Sequence, residues 1–276
     1  LVELASYAGA DYIKFQTFKT ELNISKKAKK AKYQKKNTGL NESQFQMVKK
    51  LELSFDDFVL IEKKCKESNI GFMSTGFDIP SLNFLNTFSP EYYKIPSGEL
   101  TNKPYLEYLG KLAKKIILST GMADLQEIEE MVEAATDAGC KDLIILHCIS
   151  SYPAPIDQSN LRTITSLRDR FGVQVGLSDH TTTNTASVVA TTLGASVIEK
   201  HFILDRNDKG PDSSFSIMPE ELEKLCQQTS DAWLSMGDVG YERKEVEKEN
   251  VKFRRSVYFV KNLKAGEVIT PDSIRR

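Results

Sequence analysis

Two histidines stand at the ends of apolar stretches that the sequence pattern predicts as strands. His180 ends one stretch, and His201 follows another about twenty residues later. Side chains two residues apart on a strand share a face, so Ser178 points with His180 and Glu199 with His201. If the two strands are neighbours in a barrel, both imidazoles lie at one mouth and can hold a metal ion. Zinc, manganese and iron accept imidazole, whereas carboxylate or water ligands favour manganese or magnesium.

The alternative for these histidines is bland: two unrelated core residues, each hydrogen-bonded to a backbone carbonyl. The ends of the other predicted strands argue against it, because nearly all of them carry polar groups. A buried polar group without a partner is costly, so a ring of them at one barrel mouth indicates a ligand. The residues of this ring are Lys14 and Gln16, Thr75, Ser97 and Glu99, Ser119 and Thr120, Ser150 and Tyr152, Ser178 and His180, Glu199 and His201, and Asp212 in the following loop.

The residue types in this ring indicate three kinds of chemistry. A lysine among hydroxyls and glycine-flanked backbone amides suits a phosphate group. Two histidines suit a metal ion. The carboxylates of Glu99 and Asp212 suit sugar hydroxyls or proton transfer.

The elements that must position this ring alternate between strand and helix. Strands are predicted over 10–17, 70–75, 92–97, 116–121, 143–148, 173–178 and 196–202, and helices over 1–8, 43–68, 81–88, 105–113, 125–138, 161–171, 184–193 and 219–236. Such continuously apolar strands are typical of parallel sheets covered by helices on both faces. Seven strand–helix units predict an α/β fold, a (β/α)₈ TIM barrel whose first strand is missing from the sequence. An open doubly wound sheet is the alternative, but no glycine-rich dinucleotide turn follows a predicted strand.

Composition limits the function classes. The chain has 276 residues, 40% of them hydrophobic, and a formal net charge of −1. These values support a sizeable core and argue against a general nucleic-acid or membrane binder. No signal peptide or bilayer-spanning apolar run is found, and four cysteines without paired spacing predict reduced thiols in a cytoplasmic protein.

Three segments are expected along the chain. Residues 1–240 form the catalytic barrel domain, and the highly charged 241–255 form a linker. Residues 256–276 begin a small β-rich domain that stops before it could hold a core of its own. With the first strand absent and this domain incomplete, the chain as given is expected to be inactive, or nearly so, on its own.

Six ordered blocks resemble the sialic acid synthases. They are YIKFQT at 12–17, KIPSGE at 94–99, LSTGM at 118–122, LHC at 146–148 with SYP at 151–153, GLSDH at 176–180, and EKHF at 199–202 with GPD at 210–212. The likeness extends from about residue 10 to the end of the chain. So many blocks in order are far more specific than any single motif.

The resemblance implies an activity, a second domain and an assembly. Sialic acid synthases condense phosphoenolpyruvate with an N-acetylated mannosamine to give a nine-carbon 2-keto sugar acid. They have a C-terminal antifreeze-like (SAF) domain, which residues 254–258 and 264–269 resemble at its start, and they form a homodimer in which that domain covers the partner's site. The SGE block at 97–99 resembles the neuraminate and legionaminate synthases more than the pseudaminate ones. The expected acceptor is therefore N-acetylmannosamine without a phosphate, and the expected product is N-acetylneuraminate. The alternative acceptor is 2,4-diacetamido-2,4,6-trideoxymannose, which gives legionaminate.

The resemblance also implies roles for individual residues. His180 and His201 would bind a divalent metal, usually Mn²⁺, with Mg²⁺ or Co²⁺ as alternatives. Phosphoenolpyruvate would be bound by Lys14, Thr75, Ser97, Ser119, Ser150, Tyr152 and Ser178, and the sugar would face Gln16, Glu99 and Asp212. Lys14, Glu99 and Asp212 are the predicted catalytic residues. Ser150 departs from relatives that carry asparagine there, and the family's acidic residue on the first strand and arginine of the SAF domain are absent.

Several features also have plainer interpretations. His147 and Cys148 are expected to be core residues, and the seven lysines between Lys26 and Lys36 a solvated face, with a mobile lid that attracts anionic substrate as the alternative. A different class of function is a non-catalytic carbohydrate- or ice-binding protein. The ring favours an enzyme, because a pure binding module has no need of Lys14 together with two histidines.

Overall fold

The computed structural model describes residues 1–38, 42–112, 115–208 and 210–276. Within them the chain forms two compact units, Leu1–Met236 and Gly237–Arg276. None of the described helices is long and apolar enough to cross a membrane. The four cysteines, all within the described residues, form no disulfide.

The first unit is built on seven parallel strands in sequence order. They are β1 (Tyr12–Thr17), β2 (Gly71–Gly76), β3 (Tyr93–Ile95), β4 (Lys115–Ser119), β5 (Asp142–Cys148), β6 (Gln174–Asp179) and β7 (Val197–Lys200). β1 pairs with β2, and β3 to β7 form one ladder in the order of the sequence. A doubly wound sheet reverses its strand order at a switch point, and this described ladder does not. The curled parallel sheet therefore fits the predicted TIM-like α/β class.

Helices connect the strands. They are α1 (Val2–Tyr7), α2 (Thr20–Asn23), α3 (Lys32–Thr38), α4 (Gln44–Lys49), α5 (Phe55–Glu67), α6 (Ile79–Asn86), α7 (Lys103–Leu112), α8 (Leu125–Asp137), α9 (Arg162–Phe171), α10 (Thr185–Thr192) and α11 (Pro219–Met236). Most bounds agree with the sequence pattern to within two residues. The predicted end of α7 at Ala113 lies outside the described residues.

The single helix predicted over 43–68 is wrong. It is two helices, α4 and α5, and each begins with its own capping box, at Ser43 with Gln46 and at Ser54 with Asp57. In each box the serine hydroxyl accepts from the third amide of the helix and the third side chain accepts from the serine amide. Two such starts divide the apolar pattern into two helices.

The lysine run is not the uniformly solvated face that the sequence predicted. Lys30 is only 5% exposed. Its Nζ donates to Thr38 Oγ1 over 2.7 Å and lies 3.6 Å from Glu42 Oε1. Lys30 thereby fastens the segment before α3 to the end of that helix, so part of the run is structural.

The core has two layers around the sheet. The larger one lies between the outer face of β3–β6 and helices α7–α10, with Ile95, Leu106, Leu118, Ile145 and Ile164 fully buried. A smaller cluster on the inner face joins Met73, Ile117, Ile144 and Leu146. The inner cluster packs apolar side chains below the strand ends, as is usual in barrels that keep their sites at the mouth.

The second unit is small. β8 (Tyr258–Phe259) pairs antiparallel with β9 (Ile274–Arg275). The segment expected to be a linker contains a 3₁₀ helix, Glu245–Phe253.

Candidate active site

The two histidines singled out in the sequence lie together. β6 and β7 are neighbours, and the imidazole centroids of His180 and His201 are 5.3 Å apart. His180 is buried, and the side chain of His201 is 30% exposed. His201 follows the end of β7 rather than lying within it. The predicted meeting of both imidazoles at one mouth is therefore observed.

The nitrogens of this pair suit a metal ion. His180 Nδ1 lies 2.9 Å from the carbonyl oxygen of Ile149, so Nδ1 carries the proton and Nε2 is left as the ligand atom. Burial, followed by the neighbouring His180 and Lys14, lowers the pKa of His201 to about 3. His201 is therefore neutral at physiological pH, which is the form that binds a metal.

The side chains of Cys148 and Asp212 also lie beside the histidines, and Cys148 Sγ is 3.9 Å from His180 Nδ1. Asp212 Oδ2 lies 3.6 Å from His201 Nδ1. Within the described residues, no group of three or more histidine, cysteine or acidic side chains is arranged to hold a metal ion. Two imidazoles with a nearby carboxylate fit a divalent ion whose other ligands are water or substrate, not a closed structural site.

Aromatic rings form one wall beside the pair. The ring of Tyr152 lies 4.5 Å from that of His180, and Phe215 lies 5.0 Å from His201. Tyr33 of α3 lies 5.3 Å from Tyr152. Burial raises the pKa of Tyr152 to about 12, so its phenol stays protonated and can donate a hydrogen bond. The wall is apolar in body and polar at its tips, which suits a sugar with methyl-bearing substituents.

Next to the histidines lies a cluster of two lysines and a glutamate. Glu199 Oε2 lies 3.7 Å from Lys14 Nζ and 3.6 Å from Lys94 Nζ. Ser178 Oγ donates to Glu199 Oε1 over 2.8 Å, and Lys94 Nζ donates to Ser119 Oγ over 2.7 Å. The strands β1, β3, β4, β6 and β7 thus all contribute to one polar cluster on the inner face.

The two lysines and the glutamate of the cluster change one another's pKa values. Burial alone would raise the pKa of Glu199, but Lys14 and Lys94 lower it to about 2. Burial lowers the pKa of Lys94 to about 8, although Glu199 opposes the change. Two ammonium groups around one carboxylate leave an excess positive charge, so the cluster favours an anionic ligand.

Gly121 makes a close approach of backbone and side chains at the same mouth. A Cβ at this position would lie 2.1 Å from Ser150 Oγ and 2.7 Å from Ser97 Oγ. The Gly121 amide donates to Ser97 Oγ over 2.9 Å. The hydroxyls of Ser97 and Ser150 therefore gather around a main chain without a side chain, and a Cβ there would require them to move.

Thr75 supplies a donor without a partner. The residue is 1% exposed, and its Oγ1 has no hydrogen-bond partner within the described part of the chain. Thr75 is the register partner of Gln16 and shares the inner face with Lys14. An unsatisfied buried hydroxyl is unfavourable, so this one supports a bound ligand.

Two predicted residues are not joined to these groups. Gln16 is exposed on the face of Lys14. The strand predicted over 92–97 ends at Ile95, and Ser97–Glu99 is a 3₁₀ turn, so Ser97 and Glu99 lie beyond the strand. Glu99 Oε2 accepts from Asn102 Nδ2 over 2.8 Å. Lys209, part of the loop before Asp212, lies outside the described residues.

The sequence pattern does not assign other residues of the mouth to the site. Lys94 appears there only within the KIPSGE motif, although a lysine between Tyr93 and Ile95 in an apolar strand indicates a buried charge. Glu199 was recognised as a partner of His201 on one face but not as the centre of a charge cluster. Tyr33 and Phe215 lie in segments without strand periodicity, and nothing in the sequence pattern marked them.

Comparison with known proteins adds an independent line of observation. The model of the NeuB family matches residues 1–241. An N,N'-diacetyllegionaminic acid synthase of Campylobacter jejuni is 46% identical over 99% of this chain and 83% of its own length. The protein of the same name from Legionella pneumophila is 39% identical over 99% of this chain and 78% of its own.

A solved structure of another sugar-acid synthase is also similar to this chain. The crystal structure of an N-acetylneuraminic acid (sialic acid) synthetase from Leptospira borgpetersenii, in complex with citrate, superposes with a TM-score of 0.78. Its sequence is 31% identical, and the match covers 92% of this chain and 84% of the other.

Proposed function

Because the chain belongs to the NeuB family, the sialic acid synthase family predicted from its motifs, we propose that it condenses phosphoenolpyruvate with an open-chain N-acetylated amino sugar. The product is a nine-carbon 2-keto sugar acid, and phosphate is released. The observation that carries the proposal is 46% identity to a sugar-acid synthase along nearly the whole chain. The cationic cluster beside the histidine pair supports it, because phosphoenolpyruvate bears both a phosphate and a carboxylate.

The acceptor favoured by the relatives is 2,4-diacetamido-2,4,6-trideoxymannose, which gives N,N'-diacetyllegionaminate. Two relatives are named for that product, at 46% and 39% identity. The aromatic wall of Tyr33, Tyr152 and Phe215 suits the second acetamido methyl and the C6 methyl of this sugar. The first choice from the sequence, N-acetylmannosamine, becomes the second candidate, supported by the sialic acid synthetase structure at 31% identity.

The reaction forms one carbon–carbon bond and exchanges the carbon–oxygen bond to phosphate for one to an oxygen of water, whose protons are released to solvent or to the departing phosphate. The methylene carbon of phosphoenolpyruvate attacks the aldehyde carbon, and the aldehyde oxygen takes up a proton. Positive charge develops at the neighbouring carbon of phosphoenolpyruvate, and water adds there. Collapse of that adduct expels phosphate and leaves the 2-keto acid.

The chain's own residues hold the reactants for this step. We assign the phosphate and carboxylate of phosphoenolpyruvate to Lys14, Lys94 and the hydroxyls of Thr75, Ser97, Ser119, Ser150, Tyr152 and Ser178. Lys94 Nζ and Ser119 Oγ already share a hydrogen bond, so this part of the pocket is formed before substrate binds. Gln16, Glu99 and Asp212 are assigned to the sugar hydroxyls and to proton exchange with solvent.

His180 and His201 would hold the divalent metal, for which we propose Mn²⁺. When bound, such an ion acts as a Lewis acid that polarises a carbonyl. The imidazoles must be neutral for this role, and the contact of His180 Nδ1 with the Ile149 carbonyl keeps its other nitrogen available.

Side-by-side turnover tests the proposal. Phosphate release from phosphoenolpyruvate by the full-length protein is measured with the diacetamido sugar, with N-acetylmannosamine and with its 6-phosphate, and product masses are recorded. We expect the highest kcat/KM with the diacetamido sugar. Preference for N-acetylmannosamine would establish the second candidate. Release with neither sugar, in folded protein supplied with Mn²⁺, would refute the activity.

A further inference from the structure

A buried ion pair lies directly behind the two histidines. Asp179 precedes His180, Lys200 precedes His201, and the two are register partners on β6 and β7. Lys200 Nζ lies 2.8 Å from Asp179 Oδ2, and the side chains are 3% and 1% exposed. Alternation along a strand turns them away from the mouth, toward the helices. Ser187 of α10 confirms that direction, because its Oγ donates to Asp179 Oδ2 over 2.6 Å.

The ammonium group of Lys200 has all three of its donors engaged. Besides Asp179, it donates to the carbonyl oxygens of Thr181 over 2.8 Å and Thr183 over 2.9 Å. Asp179 Oδ1 accepts from the amide of Thr181 over 2.8 Å. The loop that follows His180 is therefore wrapped around the side chain that precedes His201.

Stability does not explain such a pair. Removing two charges from water costs about as much as their attraction returns, and an apolar pair of similar size is often as stable. The distinctive property of this pair is geometric, since a fully satisfied buried network permits one arrangement of its members. Here that arrangement fixes the main chain on both sides of the histidine pair.

Separate contacts hold each histidine. The carbonyl of His180 accepts from the Ala154 amide over 2.9 Å, and the carbonyl of His201 accepts from the Ile217 amide over 2.8 Å. These contacts position one histidine at a time.

Side-chain bridges, in contrast, join β6 to β7 and so relate one histidine to the other. Ser178 bonds Glu199 on the inner face, and Asp179 bonds Lys200 on the outer face. Of these two bridges, the outer one faces away from any substrate in the mouth. Changes to it can therefore report on the geometry of the histidine pair without removing a group that touches substrate.

We propose that Asp179 and Lys200 are positioning residues that set the separation and orientation of His180 and His201 for a divalent cation. The inference rests on the proposed function, since that function supplies the cation. It predicts that the ion pair controls metal affinity although neither of its members contacts the metal.

The test is Mn²⁺ binding, followed by the paramagnetic resonance signal of free Mn²⁺, in the full chain. The double variant Asp179→Asn, Lys200→Met removes both charges and leaves no unpaired ion buried. We expect its Mn²⁺ affinity to fall by about 10- to 100-fold, the usual effect of losing groups that orient ligands. Excess Mn²⁺ should restore most of kcat. In the metal-free protein, amide hydrogen exchange at residues 180–184 should accelerate.

A matched control is Ile164→Val, in the core of α9 and away from the mouth. It should lower the melting temperature without changing Mn²⁺ affinity, which separates positioning from general destabilisation. If the double variant does not fold, Ser187→Ala decides by the same two measurements, because it removes one donor to Asp179 Oδ2 and leaves the ion pair in place.

Three results would overturn the inference or its premise. Wild-type Mn²⁺ affinity and unchanged exchange in the folded variant would leave the pair structural, with the proposed function intact. The pair would also be only structural if the double variant and Ile164→Val had equal melting temperatures and lost equal Mn²⁺ affinity. Absence of Mn²⁺ binding by the wild type would overturn the metal proposal, and this inference with it.

Discussion

The charge at the mouth depends on a lysine that the sequence pattern left unassigned. Lys94 is 3% exposed, donates to Ser119 and lies 3.6 Å from Glu199. Ser119 and Lys14 are predicted to bind phosphoenolpyruvate, and the position of Lys94 beside Ser119 and Glu199 supports our proposal that it supplies a second cation to that pocket. Its burial means that the ammonium must find its partners in the protein or the substrate.

Replacing Lys94 by methionine should weaken phosphoenolpyruvate binding. A charge-assisted hydrogen bond contributes about 1.5–3 kcal/mol, so KM for phosphoenolpyruvate should rise about 10- to 100-fold. The control is Lys115→Met, whose ammonium pairs with Glu91 at the surface; KM should stay within about twofold. If KM for phosphoenolpyruvate is the same in both variants, Lys94 does not bind this substrate.

The same lysine predicts a pH dependence. Its pKa is lowered to about 8, so the ammonium is protonated below that pH and neutral above it. The value of kcat/KM for phosphoenolpyruvate should therefore fall as pH rises through about 8. In Lys94→Arg the guanidinium stays charged, and the fall should move to higher pH. If kcat/KM of active Lys94→Arg enzyme still falls near pH 8, the titrating group is not Lys94.

Gly121 makes a steric prediction. In Gly121→Ala the new Cβ would meet Ser150 Oγ at 2.1 Å and Ser97 Oγ at 2.7 Å, so both hydroxyls must move. We expect kcat/KM to fall by at least about tenfold, because small misplacements in a site are costly. Gly240→Ala, where no atom lies within 4 Å, should behave as wild type. Wild-type kinetics in Gly121→Ala would show that the serine positions are not critical.

At the scale of elements, apolar periodicity predicts the bounds of a helix best where a single amphipathic pattern has a clear start and end. α11 was predicted with both its ends correct, from the proline at its start and a long amphipathic pattern. The region 43–68 was misread because the apolar spacing continues across Ser54, while capping chemistry decides the boundary. The strand predicted over 92–97 is too long, because a 3₁₀ turn begins directly after Pro96. Such local hydrogen bonds are invisible to a count of apolar spacing.

The division into α4 and α5 can be tested directly. Ser54→Ala removes the hydroxyl that accepts from the Asp57 amide and should lower the free energy of unfolding by about 1 kcal/mol. Urea denaturation measures the change, and Mn²⁺ affinity should be unaltered. The control is Ser235→Ala in the last turn of α11, where the hydroxyl donates to the Ala232 carbonyl of its own helix; this change should cost less. A cost at Ser54 no larger than at Ser235 would contradict the capping role.

At the scale of the molecule, the sequence pattern predicts the meeting of the two histidines but not the charge cluster beside them. The histidine pair followed from strand order, because parallel neighbours end at the same edge. The Lys14–Glu199–Lys94 cluster brings together β1, β3 and β7, and strand alternation alone cannot give the reach of a long side chain across a barrel. The SAF domain and the domain-swapped homodimer stay predictions from the resemblance.

The central claim is that the histidine mouth is the site of a metal-assisted condensation of phosphoenolpyruvate. The most direct measurement is phosphate release, with bound Mn²⁺ counted, in the full-length wild type and in full-length His201→Ala. His147→Gln is the control, since the His147 ring bonds the Ser159 carbonyl over 2.8 Å, away from the pair. We predict that His201→Ala loses most Mn²⁺ and most turnover while staying folded, and that His147→Gln keeps both. Normal turnover in His201→Ala, or turnover that survives exhaustive chelation, would contradict the account.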